Sequence, residues 1–435
     1  MEIIGQVKAK LTSEQTRQQY RVKDQDWSRQ RKLSFHRVAT LILRGHKLSQ
    51  QNALNRLFRE LGEVDQVATP SAYTQARHKL KPELFVELNR LIVSHYYRLY
   101  DEQQGVHRWH GRRLIGVDGS YLNLPDTAEL RAAYSVQRCQ HEESARVQAL
   151  ASIAYDLLND VAISAGLSAK QAEKNFLFTT HLQGTAPGDV FVLDRGYADY
   201  AVMAFLLGNQ RDFVIRFPRN GFKQVDQFWE SDKQEQVVEL QPNHRQRANV
   251  EKYSLAESIR VRLVKVELES GEIEVLGTSL LEKETYKVDE LKQVYGWRWE
   301  EETWLGRVKN IFELERFSGQ SKLVIEQDYY GVVFLTSLES ILSKSDEVHI
   351  RAESRERGRK HQAQVNHAVS YLTLVDYAVA LLLDEKQSVE QTLAELHRLF
   401  RTNPTCGKRG RKYPRKKRST SHRLWFHKYK KRSLS

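Results

Sequence analysis

Leu114-Ile-Gly-Val-Asp-Gly-Ser-Tyr-Leu-Asn-Leu124 and Val190-Phe-Val-Leu-Asp-Arg-Gly-Tyr197 carry the architecture of this chain. Each is a short apolar run of the kind a β-strand buries, and each meets an aspartate, at Asp118 and Asp194. A pleated, half-buried position disfavours a charge, so an aspartate there needs a reason. The simplest reason is a turn cap at a strand end. Outward from these two runs, Val147–Tyr155 and Asn159–Ser164 read as strands joined by a tight turn, and Ser168–His181 as helical. Residues 197–208 read as a further helix and Asp212-Phe-Val-Ile-Arg-Phe-Pro as another strand. The order is three strands, helix, strand, helix, strand, which predicts an α/β core over residues 106–218 that resumes at 287–345.

Residues 219–286 interrupt that core. Two alternating runs, from Val261 and from Ile273, flank Ser270-Gly271, a favourable two-residue hairpin turn, so a β-rich insertion is expected. Asp289 to about Ile311 reads as a helix, with further helices from about Gln327 and about Asn366. Ser388-Val-Glu-Gln predicts a capping box for a last helix within a C-terminal helical region, 346–403. Residues 1–105 read as a helical N-terminal domain. Thr69 can cap a helix with Pro70 at its first position, and Pro82 starts the next. With Tyr73, Gln75, Arg77, His78 and Lys79 facing outward, this pair would suit a helix-turn-helix docked on DNA. A helical hairpin inside a bundle reads the same sequence equally well.

Net charge is +13 over 435 residues, but residues 401–435 alone hold 14 Lys and Arg with no Asp or Glu. Without them the chain has 54 basic against 55 acidic residues. The excess charge is a basic tail, 404–435, with Tyr413, Trp425, Phe426 and Tyr429 interleaved. Such a tail binds polyanions by counterion release and can stack on bases, or it only solubilises. Two distant cysteines, Cys139 and Cys406, exclude a disulfide framework and a cysteine zinc site. The first residues lack the apolar segment of a secretory signal. Tyr371–Leu383 is too short to span a bilayer and contains Asp376, so it predicts a buried helix. The expectation is a cytoplasmic protein without membrane contact. No Walker loop, HExxH or GxSxG is present, which argues against an ATPase, a zincin and an α/β-hydrolase.

Two aspartates on adjacent core strands would repel unless cations lie between them, and oxygen donors of this type suit Mg2+ or Mn2+. A third carboxylate is selected by helix geometry. In Tyr295-Gly-Trp-Arg298-Trp-Glu-Glu-Glu302-Thr-Trp-Leu-Gly-Arg-Val-Lys309, at 100° per residue, Arg298, Glu302 and Lys309 lie within about 60° of Tyr295. Glu300 and Glu301 point elsewhere. An ordinary amphipathic helix with an Arg298–Glu302 pair explains two of these residues, but not the Tyr and the Lys on the same stripe.

The spacing Tyr295-x2-Arg298-x3-Glu302-x6-Lys309, following Asp118-Gly-Ser and Asp194-Arg-Gly-Tyr, resembles the YREK signature of IS4-family insertion-sequence transposases of the DDE type. The resemblance spans about residues 112 to 345, including the strand insertion between the second Asp and the Glu. It implies an RNase H-like catalytic core, with Asp118, Asp194 and Glu302 as catalytic residues holding two Mg2+ or Mn2+ ions. Tyr295, Arg298 and Lys309 would hold DNA phosphates, and Trp299 is a candidate platform for a flipped base, or a core residue. Arg77 and Lys79 would contact DNA through the N-terminal helices. The implied activity is cleavage at element ends and strand transfer into target DNA, by a homodimer on double-stranded inverted-repeat ends in a bacterial cytoplasm. A nuclease of the same core without strand transfer, or a silent DNA-binding derivative, are the competing readings.

Overall fold

A computed structural model of the chain describes residues 2–45, 49–100, 105–138, 145–169, 173–267, 271–298, 314–383 and 388–406. By internal contacts the chain divides into two compact units: Met1–Val106 with Leu122–Ala149 and Arg307–Ser435, and His107–Tyr121 with Leu150–Gly306. The fold is mixed α/β.

The first unit is mostly helical. It holds α1 (Glu2–Thr12), α2 (Glu14–Tyr20), α3 (Phe35–Arg44), α4 (Gln50–Glu60), α5 (Pro70–Arg77) and α6 (Glu83–Leu99). The expected cap is present: the Thr69 side chain accepts the Ala72 N–H at 3.2 Å, with Pro70 at the first position of α5. The sequence suggests that residues 1–105 stand apart from the C-terminal helices, yet this unit gathers both. The reason is α13 (Lys322–Glu356), a 35-residue helix too apolar on one side to be left in water. It buries Val333, Phe334, Leu335, Leu338 and Ile341, and packs against α3 and α6. Helices α14 (His367–Leu382) and α15 (Val389–Thr402) complete the bundle. Helix α14 contains the apolar run at Tyr371, which the sequence predicts to be buried. It is buried on one side only, at Tyr371, Leu374, Ala378, Val379, Leu381 and Leu382, with Leu372 and Asp376 exposed. The Ser388 hydroxyl caps α15 by accepting the Gln391 N–H at 3.1 Å. Among the described residues no helix is long and apolar enough to cross a membrane.

The sheet is the frame of the second unit. Its strands are β1 (Leu114–Asn123), β3 (Ala145–Asp156), β4 (Val161–Ser168), β5 (Val190–Leu193), β6 (Asp212–Phe217), β7 (Glu235–Leu240), β8 (Ile259–Glu267) and β9 (Ile273–Thr278). The ends of β1 and β3, with α7 (Ala128–Ala133) and β2 (Ser135–Arg138), count with the first unit, where β2 pairs antiparallel with the start of β3. The strand order runs β3-β1-β5-β6-β9-β8-β7, with β4 on the other side of β3. Strands β1, β5 and β6 are parallel neighbours, whereas β3–β4 and β6–β9–β8–β7 are antiparallel. All four residues of β5 are buried, as a parallel strand covered on both faces requires. Strands β7, β8 and β9 lie within the expected insertion, but they do not form a separate sheet. Strand β9 pairs with β6 and continues the core sheet. Gly271, in the turn between β8 and β9, has φ +80°, a conformation that favours glycine. The second unit also holds α8 (Asn175–Thr179), α9 (Tyr200–Gly208), α10 (Lys223–Glu230), α11 (Arg247–Lys252) and a helix, α12, that begins at 288 and is described to 298.

Beneath β3 and β4 lies a fully buried histidine, His181. Its Nε2 is 2.9 Å from the Ser152 hydroxyl and its Nδ1 2.7 Å from the Ser164 hydroxyl, so a neutral ring has both nitrogens satisfied. Burial pushes its pKa down to about 3. The unfolded imidazole titrates near 6.5. Between these values the native state binds fewer protons than the unfolded chain. The contribution of His181 is therefore complete above about pH 6.5 and drains away as pH falls towards 3, by up to ~1.4 kcal/mol per pH unit. Urea unfolding of a His181→Gln variant is expected to show a shallower loss of stability between pH 7 and pH 5 than the parent. An identical pH slope would contradict this role.

Candidate active site

Strands β1 and β5 pair in parallel with Leu114 beside Val190, Ile115 beside Phe191 and Gly116 beside Val192. The same register carried two residues further sets Asp118 against Asp194, on the same face of strands about 4.8 Å apart. Leu114–Val117 and Val190–Leu193 are buried, and the change to partial exposure comes at the two aspartates. Asp194 thus lies just past the carboxyl end of β5, and Asp118 midway along the neighbouring parallel strand β1, where its burial gives way to partial exposure.

Asp194 is embedded in cationic and hydrogen-bonding groups. Arg216, on β6, places Nη2 3.0 Å from its Oδ1 and bridges with Nη1 to Glu274 on β9 at 2.5 Å. The Tyr295 hydroxyl, from α12, donates to the same Oδ1 at 3.3 Å. The Arg298 guanidinium lies over the Tyr295 ring, 5.4 Å from its centroid. Burial acts to raise the Asp194 carboxyl, but the Arg195 backbone N–H, the charges of Arg298 and Arg216 and the Tyr295 hydroxyl outweigh it. They hold Asp194 below the usual carboxylate range. Burial also pushes the Tyr295 phenol up to about 12, so it remains a hydrogen-bond donor.

A further carboxylate ties the segments that follow the two aspartates. The Tyr197 hydroxyl, three residues after Asp194, donates to Glu173 Oε1 at 2.6 Å. Glu173 also presses on Gly119, the residue after Asp118: a Cβ at Gly119 would come 2.5 Å from Glu173 Cδ and 2.6 Å from Oε1. The glycine of Asp-Gly-Ser and the tyrosine of Asp-Arg-Gly-Tyr are therefore explained together. One leaves room for Glu173 and the other holds it. Burial raises the Glu173 carboxyl, the Tyr197 bond pulls it partly back, and the Asp194 charge adds to the rise.

Of the residues singled out from sequence, Asp118, Asp194, Tyr295 and Arg298 all belong to the second unit, and Tyr295 and Arg298 are gathered around Asp194. Trp299, Glu302 and Lys309 lie outside the described residues. Tyr295 and Arg298 are each only 4% exposed, so they engage Asp194 instead of presenting an open phosphate-binding surface. Arg77 is not on a surface either. It is 3% exposed and its guanidinium is taken up by Gln327 at 2.6 Å, Asp328 at 2.7 Å and the Ser318 hydroxyl. That network fastens α5 to α13, because a buried cation must be paired. Tyr73 is fully buried as well, while Gln75 and His78 are exposed and Lys79 partly so. Sequence reading missed Arg216 and Glu173. The signal for Arg216 was available, since a lone arginine closing an apolar strand raises the same question as a lone aspartate. Nothing marked Glu173, which reaches the site only through tertiary folding.

Asp118 and Asp194 are hard oxygen donors, in register, partly exposed and, for Asp194, held ionised, which fits a Mg2+- or Mn2+-type ion. Among the described residues no set of three His, Cys, Asp or Glu side chains is placed to hold a metal. The expected third ligand is Glu302.

Residues 109–338, more than half of the chain, match the family model described as the transposase DDE domain, and the chain belongs to that family. It is similar to the transposase InsG for insertion sequence element IS4 of Escherichia coli (strain K12), 24% identical over 273 residues, 62% of this chain. The match spans 60% of that relative's own length. A solved structure, the cryo-EM structure of the piggyBac transposase synaptic complex with hairpin DNA, aligns over 96% of this chain and 88% of its own. Its TM-score of 0.47 and 8% identity make it too distant to bear on function.

Gly119→Ala is expected to cost about 1–3 kcal/mol in urea unfolding, because Glu173 must move. Adding Glu173→Ala should recover most of that loss. Strictly additive losses across the double-mutant cycle would contradict the packing of Glu173 on Gly119.

Proposed function

We propose that this chain is a DNA transposase that cuts phosphodiesters at the ends of its element and joins the freed 3′-hydroxyl to target DNA. The observation that carries the reading is the pair Asp118 and Asp194, brought level by the register of the adjacent parallel strands β1 and β5. The strand order β4-β3-β1-β5-β6, with an antiparallel β3–β4 hairpin and parallel β1, β5 and β6, supports an RNase H-like core. Membership of the transposase DDE domain family supports the chemistry, and that family generally uses divalent metal ions.

Asp118 and Asp194, with Glu302, would hold two Mg2+ or Mn2+ ions. Bound there, such ions would supply activation of a water or 3′-hydroxyl and stabilisation of the leaving oxygen. The surrounding side chains prepare the carboxylates. Arg216 and Arg298 keep Asp194 charged, so a cation meets an ionised ligand. Tyr295 fixes the orientation of its Oδ1, and Glu173, between Gly119 and Tyr197, fixes the backbone that carries both aspartates. Arg298 and Tyr295 thus act through Asp194, and phosphate contacts are left to Lys309. The partners are double-stranded inverted-repeat ends and target DNA, held by a homodimer.

Asp118→Ala, Asp194→Ala and Glu302→Ala are each expected to abolish Mg2+-dependent cleavage of end-bearing duplex DNA while leaving its binding within a few-fold of the parent. Cleavage surviving in any one of them would remove that residue from the site. A labelled 3′-hydroxyl donor end offered with a supercoiled target should yield joined product. Hydrolysis without joining would point to a nuclease instead.

A further inference from the structure

The first unit contains a cavity of about 780 Å³ lined by Lys23, Arg29, Arg31, Lys32 and Lys79, with Trp27 and Gln75 among its walls. Four of these cations come from the connection between α2 and α3, and Lys79 follows α5. Among the described residues none of the five forms an ion pair with a carboxylate. Asp26 is the single acid in the lining, and its carboxylate accepts the Lys23 backbone N–H at 2.9 Å.

The connection is held firmly for a segment without regular structure. The Val22 N–H donates to the Lys79 carbonyl at 2.9 Å and the Lys81 N–H to the Tyr20 carbonyl at 2.8 Å. The Trp27 indole N–H also donates to the Lys79 carbonyl, at 3.3 Å, and its ring meets Phe35 edge-on at 5.7 Å. Trp27 is held at φ +66°, a left-handed conformation that is strained for a bulky residue and persists only where its surroundings fix it. The chain therefore bears a local cost to hold cations that pair with no carboxylate around one cavity. That arrangement does nothing for stability, because like charges brought together repel.

We propose that this groove is a binding site for the phosphodiester backbone of duplex DNA. A single small anion would leave most of the volume and most of the cations unused. Cations spread along the connection from Lys23 to Lys32 and at Lys79 suit a run of phosphates. The contacts are to backbone, so they position the duplex without reading its sequence. The site rests on the reading of the chain as a DNA-processing enzyme. It shares Gln75 and Lys79 with the helix-turn-helix face that the α5 sequence suggested, but is built mainly on the connection between α2 and α3, since Tyr73 and Arg77 are buried.

The test neutralises three exposed groove residues, Arg29→Gln/Arg31→Gln/Lys32→Gln, in the full chain. The comparison is a charge-matched control at the exposed Arg355, Arg359 and Lys360. Binding of an end-bearing duplex is measured as a function of salt, with unfolding followed in parallel. The groove variant should bind at least tenfold more weakly, with a salt slope shallower by up to about 2.7, near 0.9 for each phosphate that is no longer neutralised. The control should stay within about threefold, and cleavage by the groove variant at saturating DNA should be retained. Equal losses in both variants, or an unchanged affinity and slope in the groove variant, would overturn the site while leaving the proposed function standing. Inorganic phosphate protecting the groove at concentrations where duplex DNA does not would overturn the assigned occupant. A parent chain that binds no duplex DNA would overturn both readings.

Discussion

Two carboxylates held side by side on adjacent central strands of the sheet constrain the rest of the second unit. The β1–β5 register brings Asp118 and Asp194 together as a consequence of pairing two apolar strands, and neither aspartate can slide away without moving Leu114–Val117 or Val190–Leu193 out of the core. A one-residue slip would turn every side chain of one strand to the opposite face. The repulsion between the two charges is therefore built into the core, and positive charge from elsewhere has to offset it.

Part of that compensation comes from the protein. Arg216 reaches Asp194 from β6, and its second contact, to Glu274 on β9, depends on the strands that extend the sheet beyond the parallel core. Helix α12 delivers Tyr295 and Arg298 to the same carboxylate. The insertion between the second aspartate and this helix thus contributes directly to the site through Glu274 and its hold on Arg216. On the other side, Glu173 occupies the space that Gly119 leaves and takes the Tyr197 hydroxyl. The site is asymmetric: Asp194 is surrounded by cations, whereas the Asp118 segment is packed against an acid.

Much of this was legible in the sequence because it follows from local pattern. Apolar runs ending in aspartate gave the two central strands, and Thr69-Pro70 and Ser388 gave helix starts whose caps are present. Helical spacing put Tyr295 and Arg298 on one side, and both converge on Asp194. Long-range packing was not legible. Arg77 looks like a surface cation on a short helix, and only the burial of α13 against the N-terminal helices turns it into an internal tie through Asp328 and Gln327. The strands of 219–286 read as a separate insertion because no local signal says that β9 will pair with β6. Glu173 sits in a polar stretch with nothing to distinguish it, and its role depends on a glycine 54 positions earlier in the chain.

The central claim is that Asp118 and Asp194 together form a divalent-cation site. Diffraction from crystals soaked in Mn2+, recorded at the manganese absorption edge, tests it directly. The account predicts an anomalous peak within coordination distance of carboxylate oxygens of both aspartates, absent from the Asp118→Ala protein. A peak bound only elsewhere, or none at a concentration that supports cleavage, would contradict it.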